Sequence, residues 1–95
     1  MSLYVVLADV NEREFQNAQE FVNLWGSVRS DLAALEADLV DTYALLGGYD
    51  FLVTLEADDK ETAMEASLLM ERQGLDAETM QALPVDHLGE LVDDV

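Results

Sequence analysis

Ninety-five residues, 51% of them hydrophobic, are enough for one compact core and too few for two domains, since the commonest domains run to roughly 100–150 residues. The 21 Asp and Glu residues stand against Lys60, Arg13, Arg29 and Arg72 for a net charge of −17; with no basic patch to neutralise phosphates, this argues against direct binding to nucleic acid or an anionic membrane. The chain has no cysteine, which removes disulfides, thiolate zinc sites and thiol catalysis.

A surface this acidic repels itself. At physiological ionic strength the Debye length is about 8 Å, whereas at ~1 M salt it falls to about 3 Å and most of the repulsion is screened. The acids are spread over the whole chain instead of forming one block, which is the pattern of a solvated surface and not of an interaction tail. A salt-loving host is the natural explanation. No apolar run approaches the ~18 residues of a membrane span, and Met1-Ser2-Leu3-Tyr4 lacks the basic region of a signal peptide, so a cytoplasmic protein is expected.

Leu3–Ala8 is a short continuous apolar run whose length predicts a strand buried on both faces. From Asn11 the period changes: Phe15, Ala18, Val22, Trp25, Val28, Leu32 and Leu35 recur at three- and four-residue spacing, the stripe of an amphipathic helix, with a break allowed at Gly26. Leu39–Leu46 and Tyr49–Glu56 then read as two strands joined by a tight turn at Gly47-Gly48. In the second strand Tyr49, Phe51, Val53 and Leu55 form one apolar face.

Asp58, with Glu61 three residues on, predicts the N-cap of a second helix. Its inner stripe is Ala63, Ala66, Ser67 and Met70, and Gly74 is its stop. Ala77–Leu83 is more polar and is expected at a sheet edge, ended by Pro84. Leu88, Leu91 and Val92 then stand at helical spacing in a short terminal helix.

The order βαββαβ predicts an α+β chain of the ferredoxin-like kind over residues 1–95: a four-stranded antiparallel sheet, two helices on one face and a short C-terminal helix. Helices can cover only one of the two apolar sets of the first strand, either Leu3, Val5 and Leu7 or Tyr4, Val6 and Ala8. The uncovered set is a patch larger than monomers usually expose, and pairing with a second copy, as a homodimer or higher homo-oligomer, is the simplest remedy.

The chain resembles the GYD domain family, named for the tripeptide found here as Gly48-Tyr49-Asp50. The likeness extends to the aliphatic strand before the tripeptide, the Phe51-Leu52-Val53 continuation, the helix opening after Asp58-Asp59 and the Thr79-Met80-Gln81-Ala82 strand. It implies a small dimeric α/β-barrel protein with no established biochemical role. The acidity of this chain sets it apart from the family.

Tyr49 and Asp50 are the first candidates for a ligand site, because a phenol and a buried carboxylate beside a sheet could orient a small molecule or move a proton. The structural alternative, favoured here, is that Asp50 accepts backbone amides of the hairpin while Tyr49 packs toward the first helix. Tyr43 and Trp25, with Phe15 and Phe21, could edge an apolar pocket of ~300 Å³ or more, although aromatics at such spacing are more often core. His87, near Asp86 and Glu90, is too isolated to predict a metal site. No phosphate loop, serine elbow or HExxH spacing occurs, so neither cofactor nor catalytic residue is assigned.

Three functional classes follow: a non-catalytic oligomeric module, structural or regulatory; a small-molecule binder or cofactor-free enzyme using a pocket between sheet and helices; and an acidic dock for a basic partner. The fold alone does not choose among them.

Overall fold

The computed structural model describes residues 2–10 and 18–93. In chain order these form β1 (Ser2–Val10), α1 (Ala18–Ala34), β2 (Asp38–Ala44), β3 (Phe51–Ala57), α2 (Lys60–Arg72), β4 (Leu75–Ala82) and α3 (Val85–Asp93). The sheet order is β2-β3-β1-β4 and every neighbouring pair is antiparallel. The expected ferredoxin-like architecture is therefore present, with β4 at an edge as its polarity predicts.

Alternation along the two central strands decides which face the helices take. Tyr4, Val6 and Ala8 of β1 are buried, as are Phe51, Val53, Leu55 and Ala57 of β3. They meet Leu24, Trp25, Val28 and Leu32 of α1 and Ala63, Ala66 and Met70 of α2 in a single cluster. Every buried residue among those described is apolar. β1 is thus buried fully on one face only; Leu3, Val5 and Leu7 lie half-buried on the other.

Three helical expectations shift. Val22 is 63% exposed instead of lining the core, and Leu24 takes an inner position. α1 runs unbroken through Gly26. The expected helix start and Phe15 lie outside the described residues. α2 is capped one residue later than the sequence suggests: the Asp59 side chain, not that of Asp58, accepts the Thr62 amide at 2.8 Å. Gly74, at φ +92°, ends α2 in the left-handed conformation that glycine adopts without a Cβ clash.

β2 owes its mixed pattern to a bulge. Leu39 pairs with Leu55 and Asp41 with Thr54, so Val40 is an extra residue and the parity of β2 flips there. The Asp41 amide donates to Thr54 Oγ1 at 3.0 Å, which fixes the register beyond the bulge. Nor do β2 and β3 meet in a two-residue turn. They are joined by a loop, residues 45–50, in which Gly47 has φ +126° and the Leu45 amide donates to the Asp50 carbonyl at 2.8 Å.

α3 follows Pro84 and is exposed from Val85 to Val92. Among the described residues no helix is long and apolar enough to cross a membrane.

Candidate functional site

The four candidate residues fall into two places. Tyr49 and Asp50 stand where the β2–β3 loop crosses the end of β1, while Tyr43 and Trp25 line a cleft between α1 and the β2–β3 side of the sheet.

At the first place, two aspartates tie a loop to a strand. The Asp50 amide donates to Asp9 Oδ1 at 2.9 Å and to the Ala8 carbonyl at 3.1 Å, and Asp50 Oδ2 accepts the Val10 amide at 3.0 Å. Each carboxylate thus satisfies a backbone donor on the other's segment, where the ladder between β1 and β3 ends at Ala8 and Phe51. Asp50 is exposed, not buried, so it lacks the dry surroundings on which acid–base chemistry was premised. Its backbone partner belongs to β1, not to the hairpin.

Tyr49 does not continue the apolar face of Phe51, Val53 and Leu55, and it does not reach α1. Its hydroxyl donates to Glu78 Oε2 on β4 at 2.5 Å. Glu78 pairs in register with Leu7, so the phenol closes one end of the sheet face that α1 and α2 leave open. The hydrogen bond to Glu78, followed by that carboxylate's charge, raises the Tyr49 pKa above the usual tyrosine value of 10.0. A phenol held protonated in this way is a poor general base.

The second place is a cleft of about 460 Å³, walled by Phe21, Val22 and Trp25 of α1 and by Phe51 of the sheet, with Arg29 among its lining residues; Tyr43 borders it, but its pairing with Leu52 sets its side chain with that of Asp41 on the open face of the sheet. Phe21 and Trp25 both meet the Phe51 ring edge-on at 5.3 Å, a favourable aromatic geometry that makes this wall stiff. Trp25 is only 6% exposed, as its expected core role requires. Its Nε1 is nevertheless the one buried side-chain polar atom among the described residues with no hydrogen-bond partner.

Arg29 was not singled out from the sequence. The signal existed: it lies four residues after Trp25, one helical turn along the same face. The reciprocal role of Asp9 and the reach of Glu78 to Tyr49 were hidden, because both depend on strand register. A further groove of about 520 Å³ lies between α2 and β4, lined by Lys60, Met64, Leu68 and Gln81 among others. His87 meets Glu90 at 3.6 Å on exposed α3, and among the described residues no three acidic or histidine side chains converge as metal ligands would.

The family model described as GYD domain matches residues 4–92. No protein of curated function is significantly similar to the chain. Similar solved structures include one titled FFRP-DM1 (17% identity, TM-score 0.58, 87% of this chain and 100% of that one). Two others are TTHA0845 from Thermus thermophilus (18%, 0.56, 88% and 95%) and the hypothetical protein PHS023 from Pyrococcus horikoshii (18%, 0.55, 88% and 92%). At such identities the likeness is one of fold.

Proposed function

The chain belongs to the GYD domain family, and from that premise we propose that it is a small homo-oligomeric module, structural or regulatory and without catalysis, working in the cytoplasm of a salt-loving host. The observation that carries this reading is the open sheet face. Leu3, Val5 and Leu7 of β1, Leu52 of β3 and Met80 of β4 share it in register, and neither α1 nor α2 covers them. Asp38, Asp41 and Glu56 lie toward one edge of that face and Asp76 and Glu78 toward the other, giving an apolar centre with a charged rim. That is the anatomy of a protein interface. A second copy presents the same patch, so a two-fold pair is self-complementary.

The host is inferred from the charge of −17, which molar salt screens. Light scattering in molar KCl tests the assembly: a mass of twice 10.5 kDa or more is expected, and a monomer in that salt would end the proposal.

A second reading, a small-molecule binder or cofactor-free enzyme, is favoured by the cleft at Trp25 and Phe51. Its volume falls within the ~300–1,000 Å³ of ligand clefts and its walls are aromatic. Of the four candidate residues, only Trp25 serves that reading with its side chain. Tyr49 and Asp50 serve the fold.

A further inference from the structure

The second reading fixes where a small molecule would lie but not what it is. Three features of the cleft narrow its chemistry. Its walls are aromatic and aliphatic, with Phe21, Val22, Trp25 and Phe51 contributing, so the body of a ligand must be apolar. Among the described residues, one cation, Arg29, lines it and no carboxylate does. In a chain with 21 acidic residues, the Arg29 guanidinium has no ion pair among the described residues.

Taken together, these features point to one class. We propose that the cleft between α1 and the β2–β3 side of the sheet binds a small carboxylate with a planar apolar body, its carboxylate paired with Arg29 and its body laid against the aromatic wall. The inference rests on the second reading above. Guanidinium presents paired N–H donors that match the two oxygens of a carboxylate, which a neutral polar group does not use as well. The acidic surface repels anions at long range, but molar salt confines that repulsion to a few ångströms; the same salt weakens the exposed pair at Arg29, which keeps the expected preference small. Neutral aromatics lose the pair and keep only the apolar contact.

The test uses the whole chain in molar KCl with phenylacetate and its neutral counterpart 2-phenylethanol as probes. The chain's one tryptophan, Trp25, stands in the wall and serves as the fluorescent reporter. Phenylacetate is expected to saturate with a dissociation constant on the order of 1 mM. It should bind about fivefold tighter than 2-phenylethanol, the scale of a partly exposed ion pair. Arg29→Gln should abolish that preference with an unchanged far-ultraviolet spectrum, whereas Arg72→Gln, at the end of α2, should keep it. Equal affinities for the two probes, or a preference that survives Arg29→Gln, would overturn the carboxylate assignment while leaving a binding cleft. Absence of both a fluorescence change and saturation transfer to either probe would remove the cleft as a binding site altogether, and with it the second reading. The oligomeric proposal is untouched by any of these results, since its readout is mass.

Discussion

Val5 offers the sharpest test of the open face. It sits in the middle of that face, next to Thr54 of β3 on one side and Met80 of β4 on the other. Val5→Asp puts one carboxylate into the patch, and two-fold pairing doubles it. A charge stranded in a dry interface costs several kcal/mol. Taking only ~2 kcal/mol for each copy after relaxation gives ~4 kcal/mol for the pair, and at 1.4 kcal/mol per factor of ten the dissociation constant rises ~10³-fold. A micromolar dimer would then be monomeric at the concentrations used for light scattering. Val5 is not among the residues of the core cluster, so the fold should survive, and circular dichroism checks that. The control is Met64→Asp on the exposed flank of α2, 62% accessible, which should leave the mass unchanged. A Val5→Asp chain that is folded and still runs at the wild-type mass would refute the assignment of this face.

Asp50→Ala removes the acceptor of the Val10 amide, a loss of about 1 kcal/mol that should lower Tm by about 4–8 °C in a chain of this size. Asp50→Asn keeps an acceptor oxygen and should lose less; an alanine variant that melts with the wild type would show that the carboxylate does not hold the loop. For Tyr49 the sign is fixed by its raised pKa: the hydrogen bond to Glu78 stabilises the fold below the unfolded value of 10.0, and that stability is lost as pH rises through the higher folded value. The absorbance difference between wild type and Tyr49→Phe should therefore titrate with a midpoint above 10.0, and a midpoint at or below it would contradict the Tyr49–Glu78 bond. Thermal melts in dilute buffer and in molar KCl should differ, with the higher Tm in salt; equal values would dispose of the salt-loving host.

The elements were legible because each carries its own period, and the misreadings cluster where tertiary register decides. Strand one read as apolar at both parities, which left open whether Tyr4 or Leu3 faced the helices; only the packing of Trp25 and Val28 against the sheet settles that. Val40 obscured strand two in the same way, since one bulged residue shifts every later side chain to the opposite face and no local pattern announces it. Gly47-Gly48 looked like a two-residue turn because adjacent glycines usually permit one. The closing bond runs instead from Leu45 to Asp50, while the Asp50 amide is held on the other side by Asp9 and Ala8. The site was half legible for the same reason. Trp25 and Tyr43 were visible as aromatics, whereas the pairing of Asp9 with Asp50 joins residues 41 apart in sequence, which composition and spacing do not reveal. Arg29 is the instructive omission. In a chain this acidic a cation reads as one more surface charge, yet its position one turn beyond Trp25 places it on the cleft, where its lack of an ion pair among the described residues becomes informative. Scarcity, together with helical phase, was the signal available, and it distinguishes Arg29 from the many acids spread over the chain.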